Sequence, residues 1–319
     1  MNSIAATNNP VDQKIVLGYL NSVDTSIARK VLPPIEANFD KIDIKTLSSS
    51  ILRIVSDVAE DASLTQEVRY TITKASSVAI ESHRLKNLVT RSDVRQYGSA
   101  DKARQASQIM LASLLNTIEE YTLANTMADT SVLTNYTTLS GTSQWSDYDN
   151  SNPLGVFKTG RNAVYSETGL VPNTVILSWQ VWNTLKFHPQ LLDALGKSID
   201  GKIFGITPEA LAKALEVEQV LIGKSVYNSA KEGATPVMSP IWGKHAWIGY
   251  VNPNPSPLYP ENNFGYTFWG GLPTNSGELL VDSYPVNDPP ESEYVRVEKN
   301  YDQVILSPEA MYLIKNAIA

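Results

Sequence analysis

Residues 101–129, DKARQASQIMLASLLNTIEEYTLANTMAD, decide how the rest of the chain is read. They contain no Pro and no Gly. Ala103, Ala106, Met110, Leu114, Ile118, Tyr121 and Ala124 recur at spacings of three and four, the mark of one apolar stripe on a helix. Gly98 precedes the run, and Ser99 or Asp101 is the candidate N-cap. A helix of about 29 residues at 1.5 Å each spans roughly 43 Å. The mean globular helix has only about 11–12 residues. A coiled coil is the other reading of such length. The stripe is rich in Ala, however, and lacks sustained Leu or Ile at both seam positions.

Upstream, residues 42–83 read as β structure. Val68, Tyr70 and Ile72 alternate with Glu67, Arg69, Thr71 and Thr73, which is a period of two. Ile51 to Val58 is the candidate partner strand, and the polar residues 59–66 form the tip between them. A two-stranded hairpin is marginal alone in water, so it must lie on a core or on a neighbouring chain. Before it, residues 1–41 are broken by Pro10, Pro33 and Pro34, with short apolar pieces at Ile15–Leu17 and Val31–Leu32. They read as an arm that lies on something else.

Downstream, Thr130 to Asn152 is polar and loop-like. Pro153 opens a second helix that ends near Gly169. Pro172 to Leu177 is a buried strand, and Ser178 caps a short helix from Trp179 to Phe187 that Pro189 stops. Thr207-Pro208-Glu209 opens another helix, to about Leu215, and Val217 to Ile222 is a strand. From Ile241 to Trp269 the chain is aromatic and strand-like, broken by a Pro/Asn loop at Asn252–Pro260. Val295 and Val297 alternate with Arg296 and Glu298 in a last strand, Tyr294 to Ile305, and the C-terminus is hydrophobic. Short elements of both kinds without a βα repeat predict an α+β fold.

Composition narrows the chemistry. The chain has 319 residues, 42% hydrophobic and 18% charged, enough to bury a core. Its net charge of -7 makes it a poor neutraliser of nucleic-acid phosphates. It has no Cys, so disulfides, thiolate metal sites and cysteine nucleophiles are excluded. No signal peptide and no membrane span are expected. Gly196-Lys197-Ser198 and Gly223-Lys224-Ser225 end like phosphate-binding loops, but Leu191 and Glu218 stand where the first Gly must be. His83, His188 and His245 lie far apart, and no metal is expected. Glu119 and Glu120 are adjacent, so on a helix they point about 100° apart and form no acid/base pair. No catalytic centre and no cofactor are expected. The aromatic cluster from Trp242 to Trp269 is either core or a sugar-binding face.

The order of these features resembles a tailed-bacteriophage major capsid protein of the Hong Kong 97 type. Ile27-Ala28-Arg29-Lys30-Val31-Leu32-Pro33 is similar to the family's entry from arm to body. Pro172-Asn173-Thr174-Val175-Ile176-Leu177-Ser178, Val181-Trp182-Asn183-Thr184-Leu185 and His188-Pro189 resemble its central strand–helix segment. Val220 to Asn228, Ile241-Trp242-Gly243-Lys244, Phe264-Gly265-Tyr266-Thr267-Phe268, and Val295-Arg296-Val297 with Tyr301-Asp302 complete the likeness. It runs from about Ile27 to Ala319.

The resemblance implies an N-terminal arm (1–41), an extended E-loop hairpin (42–84), a peripheral domain (85–170) with a spine helix at 101–129, an axial domain (171–290), and a returning strand with the C-terminus (291–319). It implies a structural subunit, not an enzyme, that assembles into hexamers and pentamers of an icosahedral head in the host cytoplasm and encloses viral DNA without sequence-specific contact. Only some thirty residues precede the first match, so a separate scaffolding protein is expected, with a portal at one vertex; a decoration protein is left open. A cellular compartment shell of the encapsulin type shares the fold and is the first alternative. A soluble carbohydrate-binding protein or hydrolase using the aromatic cluster is the second.

The family's geometry lays each E-loop over the next subunit, near the start of its spine. Asp57, Glu60, Asp61 and Glu67 make the loop's tip acidic, while Arg91, Arg95, Lys102 and Arg104 make the segment before and into the spine basic. These eight residues are the expected inter-subunit contacts; two merely solvated charge runs are the alternative.

Overall fold

The computed structural model describes residues 26–37, 41–47, 72–196, 205–254, 263–270, 278–287 and 292–319. The long helix runs from Ala100 to Ala128 without interruption. Ser99 caps it, its side chain accepting from the Lys102 N–H at 3.3 Å. Of the stripe read from the sequence, only Ala103 and Ala124 are buried. Leu111, Leu115, Leu123 and Met127 are buried, together with Glu119 and Glu120. Met110, Leu114, Ile118 and Tyr121 are exposed in the single chain. Both faces carry apolar residues at helical spacing, and periodicity alone cannot say which one the rest of the chain covers.

Two five-stranded sheets meet this helix. The first is organised by the returning strand, Ser292–Ile305, which is 14 residues long. It pairs antiparallel with Glu81–Val89, Leu280–Val286 and Gly265–Gly270; Pro34–Ala37 adds in parallel beside Gly265–Gly270. Asp282 and Arg296 face each other in register and form a two-pronged ion pair, with Nε at 3.0 Å and Nη2 at 2.5 Å. The second sheet runs Tyr136–Thr138, Met311–Lys315, Ala246–Gly249, Thr174–Ser178, Gln219–Gly223. Helices Pro153–Thr168 and Pro208–Leu215 pack on it. Their ends follow local chemistry: Asn152 and Thr207 cap the N-termini, and Gly169 closes the first helix at φ 72°. The α+β class is therefore as expected, with the helices and strands largely segregated along the chain.

Residues 27–32, the end of the expected arm, do lie on something else: Ile27, Ala28, Val31 and Leu32 share one core with Leu123, Met127, Trp242, Trp247 and Phe264. Several elements differ from the expectations. Among the described residues the hairpin pairs Lys41–Leu47 with Ile72–Ala79; the expected strand at Ile51–Val58 lies outside the described residues. Pro189 begins a helix, Pro189–Gly196, as well as ending the preceding one at Leu185. The polar stretch 130–152 holds a short strand and buries Leu133, Leu139 and Trp145. The hydrophobic C-terminus is a central strand of the second sheet. Sheet membership also crosses the expected boundaries at 170 and 290. Residues 265–270 and 280–286 pair with the returning strand, whereas 153–168 and 311–315 belong with the other sheet.

Inside the long helix, Gln108 is 0% exposed, and among the described residues neither atom of its amide has a hydrogen-bond partner. An unpaired buried amide costs about 1–3 kcal/mol. Gln108→Met, which keeps the length and removes both polar atoms, is expected to raise unfolding stability by about 1 kcal/mol in urea titration. Lower stability in the variant would mean that the amide is satisfied.

Candidate functional site

The adjacent carboxylates Glu119 and Glu120 form the polar centre of the molecule. They point to different sides of the helix, as their 100° offset requires, and neither is exposed above 2%. A charge so buried must be paired. Arg29 Nε donates to Glu119 Oε1 at 2.8 Å, and Lys299 Nζ pairs with Glu119 Oε2. Lys299 also donates to Asn116 Oδ1 at 2.9 Å, and Arg29 also pairs with Glu278. Burial alone would raise the carboxyl pKa of Glu119; the charges of Lys299 and Arg29 outweigh it and hold the group below its ordinary range. Burial lowers the Lys299 pKa, opposed by the Glu119 charge. Thus residue 29, the helix and the returning strand are joined through one carboxylate.

Glu120 does the same on the other side. Its Oε1 accepts from the Ile27 N–H at 3.3 Å and from Trp242 Nε1 at 2.6 Å, and its Oε2 from Ser225 Oγ at 2.5 Å. Trp242 stands edge-on to Trp247 at 5.4 Å, and Trp247 Nε1 donates to the Met127 carbonyl at 2.9 Å. Gly223 lies against the Trp242 indole, where a Cβ would overlap the ring. This explains Gly223 in Gly223-Lys224-Ser225 as close packing. Lys197 and Ser198 of the other such triplet lie outside the described residues.

Sequence reasoning rejected the Glu119–Glu120 pair as acid and base but missed it as a clamp. A signal existed. Glu119 sits between Leu115 and Leu123, and neither carboxylate has a basic residue three or four positions away to pair with on the helix. Two acidic residues on an apolar stretch without local partners call for distant donors: cations for Glu119, and neutral N–H and O–H groups for Glu120.

Of the expected contact residues, Asp57, Glu60, Asp61 and Glu67 lie outside the described residues. Arg91 and Arg95 are exposed on a short helix, Arg91–Tyr97, which Thr90 and Asp93 close with a capping box. Lys102 is exposed in the first turn of the long helix. Arg104 is committed within the chain, 2.6 Å from Asp101 and 3.1 Å from Glu293. Of the four basic residues, Arg104 is thus held by carboxylates of its own chain, and Arg91, Arg95 and Lys102 are exposed.

The histidines do not converge. His83 stacks on Tyr301 at 4.1 Å, His188 Nε2 lies 2.9 Å from Ser151 Oγ, and His245 Nδ1 accepts from the Asn316 N–H at 3.1 Å. Among the described residues no cluster of three metal-binding side chains occurs, and no helix is long and apolar enough to cross a membrane. Most of the aromatic cluster is core: Trp242, Trp247 and Phe264 are fully buried, Tyr266 and Phe268 nearly so, and Tyr250 and Trp269 half-buried. The sugar-binding face is corrected accordingly, because buried rings cannot stack on a sugar.

Comparison with known proteins bears on this architecture. No family model matches the chain. The chain is 30% identical over 169 residues to the Major capsid protein of Burkholderia phage BcepMu, covering 51% of this chain and 50% of that protein. It is 30% identical over 190 residues to the Major capsid protein of Pseudomonas phage JBD67, covering 58% and 56%. The chain thus spans about half the length of the curated relatives it matches. A phage-related protein from Bordetella bronchiseptica RB50 superposes with a TM-score of 0.74 over 98% of both chains at 23% identity. The mature capsid of bacteriophage PhiM1 gives 0.55 at 12% identity, over 92% and 87%. An encapsulin complex from Synechococcus elongatus PCC 7942 gives 0.52 at 10% identity, over 99% and 91%. The fold is that of the Hong Kong 97-type capsid proteins. The chain is a sequence homologue of phage proteins named Major capsid protein.

Two acid-dependent losses of stability are expected. Burial, with the Lys315 charge, lowers the His245 pKa from 6.5 to about 4. The unfolded chain then takes up a proton that the folded chain does not, so stability falls between pH 6.5 and about 4. The depressed Glu119 group contributes above its ordinary value of 4.5 and loses that contribution as pH falls below it. Glu119→Gln should cost about 3–5 kcal/mol at pH 7, because it leaves buried cations without their anion. It should also flatten the pH profile below 4.5 while leaving the His245 step intact. Equal wild-type and variant unfolding curves at pH 7 would show that the clamp is not stabilising.

Proposed function

We propose that this chain is a structural subunit of an icosahedral phage head, located in the virion, where copies assemble as hexamers and pentamers around packaged DNA. The observation that carries this reading is the joint one of whole-chain fold and partial sequence homology: 98% coverage in fold by a phage-related protein, and 30% identity to two phage proteins named Major capsid protein. An encapsulin-type shell shares the fold alone, and the sequence relatives favour the head. The role is non-enzymatic. A separate scaffolding protein and a portal are partners in the same proposal.

The parts take their roles from the topology. The long helix is the spine, and the sheet around Ser292–Ile305 with Glu81–Val89 forms the peripheral body. The sheet containing Thr174–Ser178 and Ala246–Gly249 is the axial body. The hairpin Lys41–Leu47/Ile72–Ala79 leads into the E-loop and makes a two-stranded sheet of its own. Such a ribbon gains burial from a neighbour. In the shell, the acidic residues Asp57, Glu60, Asp61 and Glu67 dock on Arg91, Arg95 and Lys102 of the next subunit. Single exposed ion pairs contribute only about 0–1 kcal/mol, but repetition around a ring multiplies a small bias.

Co-expression with its scaffold should give closed particles visible by cryo-electron microscopy; a uniform dimer would contradict the shell. Asp57→Lys, Glu60→Lys and Asp61→Lys together should slow or abolish assembly at low salt, with partial rescue by Arg91→Glu, Arg95→Glu and Lys102→Glu. Wild-type assembly by the triple variant would remove the electrostatic docking while leaving the shell reading untouched.

A further inference from the structure

The exposed face of the long helix is half of an apolar groove. Met110, Leu114, Ile118 and Tyr121 form one wall, and Val226 and Met238, on the small hairpin Val226–Asn228/Met238–Pro240, form the other. Met110 is 60% exposed and Met238 69%. The groove measures about 640 Å³, and among the described residues no charged side chain lines it. Tyr121 and Tyr227 close one end, with ring centroids 4.7 Å apart. An apolar surface so continuous marks an interaction site.

The occupant is indicated by where the described chain begins. Ile27 N–H is bonded to Glu120, the residue beside Tyr121, and Glu120 also holds Ser225, two residues before Tyr227. The backbone preceding residue 27 therefore starts beside the closed end of the groove. Its sequence suits the lining: Ile15, Val16, Leu17, Tyr19, Leu20 and Val23 fall within a stretch, 15–23, that has no charged residue. Val23 is four residues from Ile27, a reach of at most about 14 Å at 3.3–3.6 Å per residue. From Tyr121 to Ala106 the helix face runs about 22 Å at 1.5 Å per residue. Nine residues cover about 13 Å as a helix or about 30 Å extended, so either form can lie along it. A segment tethered this closely has a local concentration in the millimolar range, which favours it over the same segment of another molecule.

We propose that residues 15–23 dock in this groove of their own chain, covering the outer face of the long helix. The inference does not rest on the shell-subunit reading, and it is tested on dilute, unassembled full-length protein. The chain has no Cys, so introduced thiols report without background. Leu114→Cys is combined in turn with Ile15→Cys, Leu17→Cys or Leu20→Cys and treated with a short bis-maleimide. A control joins Leu17→Cys to Tyr165→Cys, on the exposed side of another helix. At least one groove pair should link within the chain about a hundredfold faster than the control, as an effective-concentration effect demands. Mass spectrometry of the monomer band identifies the linked peptides. Dimer bands from the groove pairs would place a second copy there and overturn the proposal. So would failure of all three pairs to outpace the control. Circular dichroism of each variant first establishes that it is folded; Met238→Cys replaces Leu114→Cys if the latter is not.

Discussion

A carboxylate removed from water survives only where cations meet it, and Glu119 meets two that come from opposite ends of the chain. Arg29 and Lys299 are separated by most of the sequence, yet both reach the same side chain on the long helix. The pairing fixes the order of the layers: residues 27–32 on one side, the returning strand on the other, the helix between. Glu120, one residue on, ties the same turn to Trp242 and Ser225 beside the second sheet. A buried ion pair is weak evidence of net stability, since well-packed apolar residues can do as well. Its value here lies in specificity. Sliding the helix by one turn would leave four charged or polar groups buried without partners.

The rest of the architecture follows from that fixed turn. The apolar core around Leu123, Met127, Trp247 and Phe264 forms where residues 27–32 and both sheets reach the C-terminal half of the helix. A second core, with Leu111, Leu115, Val295 and Val297, fills the other half. At the base of the two-stranded hairpin, Val78 is buried against Tyr266 and Phe268 of the first sheet.

Much of this was legible in the sequence because local signals were strong. The uninterrupted run after Ser99, Asn152-Pro153 and Thr207-Pro208 each marked a helix start that the structure repeats. The alternation at Val295–Glu298 marked the returning strand. What escaped was decided by distant partners. The stripe at Met110–Tyr121 and the one at Leu111–Leu123 are equally apolar by spacing, and only the sheet packed against the helix distinguishes them. Met311–Lys315 reads merely as hydrophobic until its neighbours are known. Glu119 and Glu120 announced a need for distant partners, but nothing local named Arg29 and Lys299 for the first or Trp242 and Ser225 for the second. Arg104 looked like a free basic residue because Glu293 is remote in sequence.

The central claim is that the clamp makes the helix and the returning strand one cooperative unit. Native-state hydrogen exchange on the unassembled chain tests it most directly. Amides of the helix around Leu115–Leu123 and of the strand around Val295–Tyr301 should open with the same free energy, and both should fall by the same amount in Glu119→Gln. If the strand exchanges at its wild-type rate while the helix opens in that variant, the two are independent and the clamp does not organise the fold.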